Sequence, residues 1–98
     1  MKKSVFYSMV REDGAAIAKR QEGYTDGTFN YYKRDSLWFV IHPANGLSIC
    51  TNHTRKAAAE RAHAPAMLER IAAALERQQG AAEKFAAAVE KAKEDAAA

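Results

Sequence analysis

The chain is poor in cysteine. Cys50 stands alone, so there is no internal disulfide and no cysteine-based zinc motif. It also has no apolar run long enough to span a bilayer. The opening "MKKSVFYSMVRED" starts like a signal peptide, but its apolar stretch is too short and Arg11 follows at once. These absences predict a protein of the host-cell cytosol. Aromatic residues are scarce in the second half, where only Phe85 follows Val40. Acidic residues are scarce in the first half, where residues 1–56 hold nine Lys/Arg against five Asp/Glu.

What is present divides the same way. Of 22 alanines, 18 lie between Ala57 and Ala98. Residues 1–56 carry a net charge of +4 and residues 57–98 a net of −1, which sum to the chain's +3. A basic balance confined to one half points to an acidic partner such as nucleic acid. At 98 residues the chain is one domain with a modest core and little room for a catalytic cleft. Its two parts are residues 1–63, a sheet plus a first helix, and residues 64–98, an Ala-rich helix that either joins the same domain or serves as a dimerisation arm.

The first half reads as strands. "SVFYSMV" (4–10) is rich in β-formers, and Asp13-Gly14 marks a turn. "AAIAKRQ" (15–21) is either a return strand or a loop. "FNYYK" (29–33) and "LWFVIH" (37–42) are further strands, separated by "RDS". After them, a three-residue loop Ala44-Asn45-Gly46 would put Gly46 in a left-handed conformation and set Ile41 across from Ile49 and Phe39 across from Thr51. Leu37, Phe39, Ile41, Leu47 and Ile49 would then share one face, and Trp38, Val40, His42, Ser48, Cys50 and Asn52 the other.

The second half reads as helix. Thr54 caps "RKAAAERAHA", and Pro65 either starts a new helix or kinks the first. From Leu68 a heptad follows: Leu68, Leu75, Ala82 and Val89 recur at one position, and Ile71, Gln78, Phe85 and Ala92 three places later. The phase is unchanged across Gly80, which predicts one helix from about Pro65 to about Lys93, with a hairpin break at Gly80 as the alternative. A helix of that length exceeds the sheet it could cover, so Leu68, Ile71, Leu75, Phe85 and Val89 are candidates for self-association as a homodimer.

Three features carry chemistry. Arg55 and Lys56 open a helix at its positive end, where Asp or Glu would be favoured. Free N–H groups plus two cations suit a phosphate; otherwise the two side chains are solvated, or reach Asp35 or Glu60. Tyr31, Tyr32, Lys33, Arg34 and Trp38 interleave rings and cations, which suits base stacking with phosphate contact. His53 lies in the loop just before the cap. Catalysis is disfavoured: His42, His53, His63 and Cys50 show no spacing that demands a nucleophile–base pair, and no phosphate loop, metal pair or carboxylate pair stands out. Neither cofactor nor metal is expected.

The segment Tyr31 to His63, with Trp38, Asn45-Gly46 and Thr54-Arg55-Lys56-Ala57, resembles the arm-type DNA-binding domains of tyrosine recombinases. That resemblance implies a three-stranded sheet facing DNA and backed by a helix, with contacts from Tyr32, Lys33, Trp38, Arg55 and Lys56. No recombinase catalytic domain follows, so no activity is implied. In size and style the chain also resembles small phage and mobile-element proteins, including anti-CRISPR proteins that bind a nuclease complex. The expectation is an α+β, non-catalytic binding protein whose partner is nucleic acid or a nucleoprotein complex. The alternative is a protein-binding inhibitor that touches no nucleic acid.

Overall fold

The computed structural model describes residues 1–97. It is an α+β fold in which five antiparallel strands precede three helices. The strands β1 (Lys2–Glu12), β2 (Ala15–Thr25), β3 (Asn30–Arg34), β4 (Leu37–Ile41) and β5 (Ser48–Asn52) lie side by side in chain order. The helices are α1 (Arg55–Ala62), α2 (Pro65–Arg77) and α3 (Ala81–Ala97). "AAIAKRQ" is thus a strand. Asp13-Gly14 joins it to β1 as a two-residue turn with φ of 51° and 80°, the left-handed pair that Asp-Gly adopts readily. Asp35-Ser36 turns β3 into β4 the same way, at φ of 51° and 68°, with no glycine.

The sheet is rolled. β2 and β3 pair at only two positions, Tyr24–Tyr31 and Thr25–Asn30, and the rest of the long β1–β2 hairpin is free to coil back. Phe6 of β1 consequently packs on Tyr32 and Ile41, which are not its ladder neighbours. The Met9 N–H donates to the Gly46 carbonyl at 2.8 Å, joining β1 to the β4–β5 loop. Inside the roll lie Phe6, Tyr32, Phe39 and Ile41, with the buried Ser8 hydroxyl accepting from Gln21 Nε2 at 3.2 Å. The outer face carries Phe29, Tyr31, Val40 and Cys50, covered by Ala58 and Ala62 of α1. Burying each large apolar side chain contributes roughly 1.5–3 kcal/mol, and the two alanines let the α1 backbone approach closely enough to seal that face.

The β4–β5 connection differs from the expected loop, yet the strand register beyond it does not. The N–H of His42 donates to the Leu47 carbonyl, and the N–H of Gly46 donates to the carbonyl of His42, so four residues, Pro43 to Gly46, form the loop. Proline explains this, because Pro43 has no N–H with which to close the tighter hairpin. Gly46 is left-handed as expected, at φ 68°. Ile41 then faces Ser48 rather than Ile49, and a bulge at Ile49 absorbs the extra residue. Val40–Cys50, Phe39–Thr51 and Trp38–Asn52 follow in the expected register. Leu47 and Ile49 leave the inner face: Leu47 is exposed, and Ile49 packs against the outer core.

The single long helix is also corrected. Gln78 leaves helical conformation at φ −115° and ψ 49°, and α2 and α3 are separate helices, the break lying at Gln78–Gly80. The unchanged heptad phase favours one helix, and the alternative break at Gly80 is what the structure shows. Phe85 of α3 sits directly against Gly46, and α3 packs along β2. The proposed association stripe is therefore divided. Phe85 is engaged within its own chain, Ile71 packs on the outer core, Leu75 lines a cleft, Val89 is half-buried and Leu68 is exposed. Pro65 opens α2 at its first turn, and α3 continues to Ala97, past the expected end at Lys93.

Candidate binding surface

Thr54 caps α1 as expected, its Oγ1 accepting from the Ala57 N–H at 3.1 Å. The cations that follow divide in role. Arg55 turns back over the sheet, with its guanidinium carbon 4.0 Å from the centre of the Tyr24 ring and 5.7 Å from that of Trp38. The two rings are tilted against each other at 6.0 Å. Each favourable cation–ring contact is worth about 0.5–1 kcal/mol, enough to offset the unfavourable dipole at the helix start. Lys56 is exposed. Neither Arg55 nor Lys56 pairs with Asp35 or Glu60; Asp35 instead meets Arg34 at 3.6 Å.

Strand pairing builds the surroundings of this cluster. Lys33 stands opposite Trp38, Asn52 flanks Trp38 on the other side, and Lys3 stands opposite Tyr24, all on the outer face. Lys33 is exposed and makes no ion pair among the described residues. His53 is exposed at the loop before the cap, its N–H bonded to Asn52 Oδ1 at 2.8 Å. Trp38 is half-exposed, as its place off the aliphatic face predicts.

Tyr32 does not belong to this surface. It is 5% exposed, stacked on Phe39 at 5.3 Å and tilted against Phe6 inside the roll. The sheet face opposite α1, which the arm-type resemblance would turn toward DNA, is closed by the β1–β2 hairpin. Arg34 is exposed on that inner side, at the mouth of the roll with Arg11 and Lys19. Tyr24 is the residue missing from the candidate set. Strand alternation carried through Thr25 would have found it, since it places Tyr24 beside Tyr31.

A second polar cluster ties α1 to the sheet. Asp26 Oδ2 accepts from the Tyr31 hydroxyl at 2.5 Å and lies 2.7 Å from His63 Nε2, while Oδ1 accepts from the N–H groups of Thr28 and Phe29. Desolvation pushes the Asp26 pKa up, but these hydrogen bonds together outweigh it and hold the carboxyl at about 2. Burial and the neighbouring carboxylate raise the Tyr31 pKa, so its proton stays in place. Among the described residues no serine, cysteine or lysine side chain bonds to the cluster. Thr25 Oγ1 donates to the Phe29 carbonyl, and the Cys50 thiol, its pKa raised by burial, points at the Ala58 carbonyl at 3.9 Å. The arrangement positions a loop against a helix end.

Among the described residues no three His, Cys, Asp or Glu side chains converge as a metal site, and no buried side-chain polar atom lacks a partner. No helix of the described residues is long and apolar enough to cross a membrane. No protein-family model, curated protein or solved structure matches the chain.

Proposed function

We propose that this is a non-catalytic binding protein of phage or mobile-element type. In this reading it works in the cytosol and contacts nucleic acid, free or within a nucleoprotein complex, through the outer surface at the start of α1. The observation that carries the reading is the Tyr24–Trp38–Arg55 stack with the unpaired Lys33 beside it. Half-exposed rings offer a π-face to an unstacked base, and the guanidinium, seated over the Tyr24 ring, keeps N–H donors for a phosphate. Lys56, His53 and Lys3 extend the basic margin along which a backbone can track.

Trp38 is the chain's single tryptophan, so its fluorescence reports this surface alone. Titration with single-stranded DNA, RNA and duplex at low salt should quench it saturably. Log K should fall with log salt by about 0.7 per phosphate contact for a single strand and about 0.9 for duplex. Arg55→Ala and Lys33→Ala should each weaken binding for all sequences alike. If no nucleic acid quenches Trp38 at low salt, the reading fails. The protein-binding alternative, an inhibitor such as an anti-CRISPR, draws its support from a different place, the apolar cleft beside α2.

A further inference from the structure

Between α2 and the start of β5 runs an open cleft of about 520 Å³. Its apolar lining comes from Leu47, Ile49, Met67, Ile71 and Leu75. Two local features border it. The bulge turns Ile49 away from the inner face, and α2 ends at Arg77, capped by Gln78, beside the cleft. Met67 and Ile71 anchor α2 to the outer core, yet α2 has no fully buried residue. An amphipathic helix left this way still has apolar surface to cover.

The cleft also has a charge. Arg70 and Arg77, two turns apart on α2, line it, and no Asp or Glu does. Neither arginine forms an ion pair among the described residues. The remaining polar lining, His42, Asn45, Ser48 and Gln78, is neutral or a weak base, and burial lowers the His42 pKa. Nucleic acid would leave the apolar walls uncovered, and a basic segment would meet two uncompensated guanidiniums. Strand addition to β5 is opposed by the bulge, which spoils the regular spacing of an edge strand.

We propose that this cleft is a docking site for an acidic amphipathic segment of a partner protein. Apolar side chains of the segment fill the space between Ile49, Met67 and Ile71, and its carboxylates meet Arg70 and Arg77. The cleft shares no lining residue with the Tyr24–Trp38–Arg55 cluster.

The test uses the full chain, labelled with ¹⁵N and ¹³C-methyl, and two short synthetic peptides. Both carry leucines at i, i+3, i+4 and i+7; one has Glu at the outer positions and the other Lys. The Glu peptide should give saturable shifts at the methyls of Leu47, Ile49, Met67 and Ile71, and bind at least about tenfold more tightly than the Lys peptide, as expected from two rim charge contacts. Arg70→Glu with Arg77→Glu should reverse that preference, and oligonucleotides should still quench Trp38 saturably, though more weakly because the net charge falls from +3 to −1. Ile71→Asp tests the apolar floor, and Leu75→Asp, at a position further from the core, serves if Ile71→Asp fails to fold. Equal affinity for both peptides, shifts confined to the Tyr24 and Trp38 region, or no saturable shift would overturn the proposal. So would a doubled mass in light scattering accompanied by loss of these methyl shifts, since a second copy would then be the occupant.

Discussion

The guanidinium of Arg55 stands over the ring of Tyr24, its central carbon 4.0 Å from the ring centre. This contact links residues 31 positions apart and accounts for a cation at the positive end of α1. Helix electrostatics alone disfavour Arg55 by about 0.3–1 kcal/mol, whereas contact with two rings returns about 1–2 kcal/mol. Lys56, next along the helix and exposed, has the same cost and forms no ion pair or ring contact among the described residues.

Opposite signs are therefore expected at adjacent positions. Arg55→Ala should lower stability to denaturant by about 0.5–1 kcal/mol, the lost ring contacts exceeding the relieved dipole. Lys56→Glu should raise it by about 0.3–1 kcal/mol, because a carboxylate is favoured in the first turn. Urea unfolding of both variants, followed at Trp38, checks this. Equal and stabilising effects would mean that the stack contributes nothing.

These local relationships also show where sequence reasoning stops. The Asp13-Gly14 turn, the Thr54 cap and the left-handed Gly46 were legible because each depends on one or two residues and a backbone preference. The β4–β5 register beyond the bulge was legible too, since a slip would have exchanged Phe39 and Ile41 for Trp38 and Val40. The roll was not. Tyr32 is buried because β1 returns over it, and nothing in "FNYYK" encodes the path of β1. The break at Gln78–Gly80 was half legible: Gly80 offered it as the alternative, but the unbroken heptad phase favoured one helix, and the contact of Phe85 with Gly46 is not written in the heptad. At the candidate surface, Trp38, Lys33 and Arg55 were recoverable from local pattern, but Tyr24 depended on recognising β2 as one strand through Thr25.

The Asp35-Ser36 turn offers a second test, with an internal comparison. Asp13-Gly14 and Asp35-Ser36 share the two-residue geometry, but Ser36 is held at φ 68° with a Cβ. A non-glycine residue there costs about 1–2 kcal/mol. Ser36→Gly should stabilise by about 0.5–1 kcal/mol, the relieved strain being partly offset by added unfolded-state entropy. Gly14→Ser should destabilise by a similar amount. Thermal melts of the two variants should move in opposite directions.

Asp26 gives a pH dependence of defined sign. Its folded pKa of about 2 lies below the ordinary value of 3.8. The unfolded chain therefore takes up this proton first as pH falls. The stabilisation is fully present above about pH 4 and is lost as pH drops toward 2. With solvent screening allowed for, it amounts to about 1–2 kcal/mol. Asp26→Asn should remove that part of the acid slope and cost stability at pH 7, while converging on the parent below pH 2. Tyr31→Phe should keep only part of the slope, ending at higher pH, because one donor to the carboxylate is gone and the folded pKa moves toward 3.8. Stability measured from pH 7 to pH 2 separates the three proteins.

The α2–α3 break can be tested from both sides. Gly80 has open space around its α-carbon, whereas a Cβ on Gly46 would run into the Phe85 ring. If the break were caused by Gly80, Gly80→Ala should fuse the helices and restore the continuous heptad. If it is caused by the seating of Phe85 on Gly46, Gly80→Ala should add up to about 1 kcal/mol through helix propensity and leave the two helices apart. Gly46→Ala should then be the disruptive change. It combines a left-handed residue, costing about 1–2 kcal/mol, with displacement of the ring that anchors α3. Its expected outcome is a loss of about 2–3 kcal/mol together with faster proteolysis at Arg77 and Lys84, on either side of the break. Phe85→Ala should reproduce the proteolysis without the backbone strain. A Gly46→Ala protein that retained parental protease resistance would show that α3 holds to β2 without Phe85, and the seating argument would fall.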